Sequence, residues 1–433
     1  MRPPFDHAPC GTSDHLTRRT LLKAAGLAGI SWLTPLSQLL AVEAERAPKN
    51  APAKSVILLW LAGGPSQLET FDPHQGSKIA HGSTAITTPL KGVKLASGLP
   101  RVAELMNDIS LVRSVVSKEG DHERAFYNIK TGYRINPTVV HASMGSIITH
   151  ELPNSAIEIP THVSIIPNQW PARGGYLGAQ YDAFRVDDPR NSVPDLKPRV
   201  SDERHQRRLA GLDIVESQFA VGRLANLEQK RTQHRTSIDR ALKMMSSDQI
   251  SAFDISSAPE SEKKPYGDNR FGRACLAAVR LIETGVRCVE VTLNGWDTHA
   301  NNAEEHVKQN AILDPAFSAL IKDLKRRNLL DSTVVLCGGE FGRTPKLNPV
   351  EGRDHWPHGF TIAMAGGGIK GGRVIGSTDP SGEKEEPEDP RAVEDLHATV
   401  FRALGIDHTR QFMTDVGRPL AFSQGKVIEE LLA

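Results

Sequence analysis

The sequence predicts an α/β domain over residues 55–433: a mainly parallel sheet, helices on both of its faces, and a charged helical insertion at 185–264. Three observations carry this. Short apolar runs bounded by turn residues alternate with helical patterns, as successive strand–helix–strand crossovers require. The first run, Ser55–Ala62 (SVILLWLA), is apolar throughout rather than alternating, which suits a strand covered on both faces. Between 185 and 264 the chain is dense in Arg, Asp, Glu, Gln and Ser, with helical stretches and no clear strand.

In order along the chain, strands are expected at Ser55–Ala62, Ile109–Val116, His162–Ile166, Val286–Leu293, Thr333–Cys337 and Thr361–Ala365. Helices are expected at Val139–Glu151, Asn269–Glu283, Glu304–Asn328 and Val393–Leu404. The Glu-, Pro- and Ser-rich stretch from Gly376 to Pro390 reads as a surface loop. Gly366-Gly367-Gly368-Ile369-Lys370-Gly371 satisfies a dinucleotide-binding pattern formally, but strand and turn follow it instead of a helix N-terminus, so that reading fails.

Ahead of the domain, Arg18 and Arg19 precede a modest apolar stretch from Ala24 to Val42. Residues 1–44 therefore read as a twin-arginine export signal, with 45–54 as a linker; an amphipathic helix is the alternative. Ser31, Thr34, Pro35, Ser37 and Gln38 break the stretch too often for a stable membrane span. The expected partner is the twin-arginine export machinery, and the expected location is periplasmic or extracellular. Of the four cysteines, Cys10 leaves with the signal, Cys275 and Cys288 could pair in an oxidising compartment, and Cys337 ends a strand. The charge balance, 52 basic against 51 acidic side chains, and the lack of a basic run interleaved with aromatics give no support to nucleic-acid binding.

In a parallel sheet, ligands gather beyond the carboxyl ends of the strands. Three segments put metal-capable residues there: Asn294-Gly295-Trp296-Asp297-Thr298-His299, Gly338-Gly339-Glu340-Phe341-Gly342-Arg343, and Gly352-Arg353-Asp354-His355-Trp356-Pro357-His358. Asp297, His299, Glu340, Asp354 and His355 are the expected metal ligands, for a divalent ion such as zinc, manganese or calcium. Arg343 is expected to neutralise an oxyanion. Ser66 follows a Gly-Gly-Pro turn that lacks the second glycine of a hydrolase elbow, so it is carried only as a substrate-binding candidate, with Arg353 and His358. His306 reads as a helix-surface or supporting residue. Trp296 and Trp356 flank the ligand loops, for packing or for sugar stacking.

The stretches LLWLAGGPSQLETFDP, HERAFYNIKTGYRINP, NGWDTHANN, VVLCGGEFGRTP, GRDHWP, GGGIKGGRVIGSTD and EDLHATVFRALGID occur in order across nearly the whole domain. Together they resemble a secreted bacterial family known only as a domain of unknown function and grouped with the alkaline phosphatase and sulfatase superfamily. That resemblance implies an alkaline-phosphatase-like three-layer α/β/α sandwich with a metal site at the strand ends. It also marks departures. Gly63-Gly64 stands where the superfamily has metal-binding aspartates, with Glu69 or Asp72 as possible replacements. Glu340-Phe341 stands in place of an Asp-His pair, and no C/S-x-P-x-R nucleophile motif occurs; His122 lies near the nucleophile's place. The expected function is an exported metal-dependent hydrolase of phosphate or sulfate esters, with a one-metal or altered site and a small-molecule or glycan ester as substrate. The alternatives are a non-catalytic envelope protein binding glycans or protein partners and, more remotely, an export-linked partner of an oxidising complex.

Overall fold

A computed structural model describes residues 51–433 apart from 191, 192, 194, 195, 222–232 and 415. Residues 1–50, and with them the expected signal and most of the linker, lie outside the described residues.

The main sheet is built from β1 (Ser55–Ala62), β2 (Ile109–Val116), β3 (His162–Ile165), β4 (Phe184–Val186), β5 (Cys288–Asn294), β6 (Thr333–Gly338), β7 (Phe360–Gly366), β8 (Val374–Ile375) and β9 (Arg391–Ala392). Its order is β8-β2-β7-β6-β1-β5-β3-β4, with β9 also on β2. β1 pairs in parallel with both β5 and β6, so the turn after β1 and the candidate ligand segments that follow β5 and β6 emerge side by side. β7 alone runs antiparallel to its neighbours, β2 and β6. The reason is local: no helix lies between β6 and β7, only a two-stranded ribbon of Gly342–Arg343 and His355–Trp356, and without a crossover the chain must return antiparallel.

The longer helices among the described residues are α1 (His122–Thr131), α2 (Met144–Glu151), α3 (Asp202–Ala220), α4 (Gln233–Met245), α5 (Arg270–Thr284), α6 (Asn302–Arg326) and α7 (Val393–Ala403). Alternate residues of each strand serve opposite layers. Ile57, Leu59 and Leu61 pack with Leu276 and Val279 of α5 and Phe317 and Leu320 of α6. Val56 and Trp60 pack with Phe126 of α1, Ile147 and Ile148 of α2, and Leu396 and Phe401 of α7. Each such fully buried side chain contributes about 1.5–3 kcal/mol, which is why a run with no polar alternation becomes the central strand. The architecture is a three-layer α/β/α sandwich with a mostly parallel sheet.

The helix ends follow local chemistry. Asn269 caps α5 by accepting from the Gly272 N–H, and Gly285, at φ 110°, ends it. The helix expected from Val139 starts only at Met144, because Ser143 caps it from an extended conformation. The 185–264 insertion contains the exposed helix α3, as its composition suggests, but it opens on the edge strand β4, a pairing that its polar sequence conceals. Cys275, Cys288 and Cys337 are all free and buried, so the expected Cys275–Cys288 pair is not formed. Among the described residues, no helix is long and apolar enough to cross a membrane.

Candidate metal centre

Asp297 lies three residues beyond β5, Glu340 two beyond β6, and Gly63-Gly64 directly beyond β1. The two glycines let these loops meet. Gly63 has φ 116°, and a Cβ there would stand 2.3 Å from the Asp297 nitrogen; one on Gly64 would stand 2.5 Å from the Phe341 ring. An aspartate at the end of β1 is thus excluded by the loop that presents Asp297.

Around Asp297 the structure gathers three imidazoles. His122 begins α1, whose cap is the Asp121 side chain, and its Nε2 lies 3.3 Å from Asp297 Oδ2. His299 Nε2 lies 3.1 Å and His355 Nε2 3.3 Å from Asp297 Oδ1. Each ring is held from behind through Nδ1: His122 by Glu340 Oε1 at 2.8 Å, His299 by Asp354 Oδ1 at 2.8 Å, and His355 by the Gly120 carbonyl at 2.8 Å. Carboxylates and carbonyls only accept, so Nδ1 carries the proton in each ring and Nε2 is turned inward. His299 Nε2 and His355 Nε2 face one another at 3.0 Å. Two lone pairs so placed repel unless a proton or a cation lies between them.

The electrostatics agree with that geometry. Burial pushes the Asp297 carboxyl up, but hydrogen bonds from His122, His355 and Arg343 hold it far below the usual carboxylate range. Hydrogen bonds to Asp297 and then Glu340 raise His122 to about 9. The ligand atoms of His122, Asp297 and His355 all lie within 4.8 Å of one another and could hold a metal ion. A donor set of imidazole nitrogens and a carboxylate, each nitrogen preset by an acceptor behind it, fits a divalent cation of the zinc or manganese type.

Of the residues singled out from the sequence, the structure brings together His122, Asp297, His299, Glu340, Arg343, Asp354 and His355. Their placements refine the expected roles. Glu340 is fully buried, with Oε1 accepting from His122 and from the Gly63 N–H, so it stands behind His122. Asp354 likewise stands behind His299. Arg343 is buried; Nε donates to the Gly64 carbonyl, Nη1 to the Arg353 carbonyl, and Nη2 to Asp297 at 2.5 Å and to the Gly63 carbonyl. The guanidinium expected on substrate is spent on positioning Asp297.

Three expected substrate contacts sit apart. Ser66 is buried, its N–H donating to His306 Nε2. Arg353 is buried against Glu69 at 2.9 Å and donates to the Thr344, Pro345 and Ile79 carbonyls. His358 is exposed, edge-on to Trp356 at 4.9 Å. Neither proposed replacement for the missing aspartates reaches the cluster: Glu69 pairs with Arg353, and Asp72 with Arg113 at 3.3 Å. His306, expected on a helix surface or in a supporting role, is buried and braces the turn after β1. Gly120 was missed, because a backbone acceptor leaves no mark in a sequence.

Fold and site together define an α/β/α domain with a histidine–aspartate cluster at the carboxyl ends of its central parallel strands. Residues 53–432 match the family described as "Protein of unknown function (DUF1501)", and the chain belongs to that family. No curated protein matches it. Among solved structures it is similar to the lipoteichoic acid synthase LtaP from Listeria monocytogenes, at 10% identity and a TM-score of 0.42 over 86% of this chain and 75% of that one. It is also similar to a protein in the alkaline phosphatase superfamily from Vibrio parahaemolyticus, at 11% identity and a TM-score of 0.38 over 86% and 71%. A third is the phosphonate monoester hydrolase SpPMH from Silicibacter pomeroyi, at 11% identity and a TM-score of 0.33 over 87% and 76%.

Proposed function

We propose that this protein is an exported metal-dependent hydrolase of phosphate or sulfate esters. The observation that carries the reading is the 3.0 Å approach of His299 Nε2 and His355 Nε2 beside the Asp297 carboxylate, with both rings anchored through Nδ1. Asp297, His299 and His355 would hold the cation, which when bound supplies Lewis-acid polarisation of the ester's anionic group. Asp354 and the Gly120 carbonyl fix the two rings. Arg343 offsets the charge of Asp297 and keeps it aimed. His122, backed by Glu340, stands at the edge of the cluster beside Trp170, where it would pass a proton to the departing alcohol oxygen.

The glycines after β1 leave that side of the cluster poor in ligands, which favours a single metal; it is also what a non-catalytic relative binding glycans or proteins would show. Elemental analysis of the mature chain beside Asp297→Ala, read together with ester hydrolysis, separates the two: a structural metal without hydrolysis is the mark of the non-catalytic relative. About one equivalent of a divalent metal, lost in the variant together with hydrolysis of 4-nitrophenyl phosphate or sulfate, is the expected result. A chain that takes up no metal under any loading condition sinks the hydrolase reading. Export is tested separately: replacing Arg18 and Arg19 by Lys should retain the precursor in the cytoplasm, and unchanged secretion would refute the twin-arginine assignment.

A further inference from the structure

Beside the cluster runs a groove of about 280 Å³ between α1, residues 135–143 and residues 169–173. It is near the lower end of ligand-pocket sizes, enough for about one ring. Trp170 lines it and stacks on His122, the ring centroids 6.3 Å apart at 18°, so the groove starts where the reacting bond would lie. Lys130, buried, donates to the Trp170 carbonyl at 3.2 Å and holds that segment in place.

The floor carries a preset donor. The Tyr127 hydroxyl accepts from the His141 backbone N–H at 2.7 Å and lies 2.8 Å from His141 Nδ1, to which it can donate its own proton. With Nδ1 accepting, His141 presents Nε2–H to the groove, and Tyr133 stacks flat on its ring at 4.4 Å. Burial and then Arg418 push His141 down to about 4, so it stays a neutral donor near neutral pH. His141 is only 5% exposed and lines the groove, yet its Nε2 has no partner among the described residues. At the rim, the exposed side chains of Glu123, Gln169 and Arg173 add both acidic and basic heads.

We propose that this groove is a sugar site, holding the glycosyl alcohol of the ester. A pyranose matches each feature: a C–H face for Trp170, a hydroxyl to accept from His141 Nε2–H, and further hydroxyls that serve Glu123, Gln169 and Arg173 alike. A plain aryl group would cover Trp170 but shut the His141 donor off from water without giving it an acceptor. This rests on the hydrolase reading only for where the bond is cut; the binding itself does not need the metal.

The test titrates the full chain with methyl galactoside, glucoside, fucoside and N-acetylglucosaminide, followed by saturation-transfer NMR, with 4-nitrophenol as the aryl comparison. At least one glycoside should bind saturably, about tenfold more weakly in Trp170→Ala and in the exposed double variant Gln169→Ala/Arg173→Ala. Binding should persist in Asp297→Ala, which separates failure of the metal site from failure of the groove. Saturation by none of the glycosides, a preference for 4-nitrophenol, or undiminished binding in the rim variant would overturn the proposal.

Discussion

Replacing Asp297 by Asn keeps the shape of the side chain and removes the charge on which three imidazoles and Arg343 converge. In the native cluster, His299 and His355 already point Nε2 at one place, so a cation there needs little rearrangement. A ligand at a hundredfold excess over its dissociation constant stabilises the folded chain by about 2.7 kcal/mol. For a domain of this size each kcal/mol moves the melting temperature by about 1.3 °C, so zinc or manganese should raise Tm by about 3 °C. The amide that Asp297→Asn introduces offers a neutral oxygen in place of a carboxylate, and the shift should vanish. Arg343 keeps its carbonyl acceptors, so the metal-free variant should lose only about 1–3 kcal/mol, less than a wholly orphaned buried charge would cost. Scanning calorimetry of both proteins, with chelator and with each metal, makes the comparison. An equal metal-induced shift in Asp297→Asn, or none in the native protein with any divalent ion, would refute the reasoning.

Three further outcomes are expected. Gly63→Ala forces a Cβ to within 2.3 Å of the Asp297 nitrogen at a positive φ, so it should cost about 2–4 kcal/mol in urea unfolding and weaken metal uptake. Glu69→Ala removes the counter-charge of the buried Arg353, which keeps its carbonyl acceptors, and should cost about 1–3 kcal/mol, with metal stoichiometry unchanged in the folded fraction. His397 is fully buried, donates through Nε2 to the Ile129 carbonyl, and is pushed down by burial to about 4 from 6.5. Below pH 6.5 the unfolded chain binds a proton there that the folded chain refuses. This contribution is therefore intact above 6.5 and declines by about 3 kcal/mol as pH falls to 4; denaturation at stepped pH should show a shallower decline over that window in His397→Phe.

Most of the layer structure was legible in the chain. SVILLWLA has no polar alternation, so its strand must be covered on both sides, and it is the central one. The segment Asn294–His299 was readable as a candidate ligand loop because carboxylate and imidazole follow a strand directly. The antiparallel course of β7 and the strand pairing of Phe184–Val186 were not, since pairing direction and partner are relations between distant segments. Helix α1 went unread because its only marks, Asp121 as cap and Gly132 as stop, flank a mixed polar stretch.

Residue chemistry along the chain, then, determined which groups could ligate and at which strand ends they stand, because apolar periodicity and turn residues act locally. What each group does was decided by tertiary structure alone. Arg343 and Arg353 belong to similar Gly-Arg loops, yet one is aimed at Asp297 and the other is shut in with Glu69. Glu340 and Asp354 became supports rather than central groups because His122 and His299 lie between them and Asp297. A side chain's role follows from which neighbours desolvate it and which accept its protons, and those neighbours are brought up from more than two hundred residues away, as Glu340 is to His122.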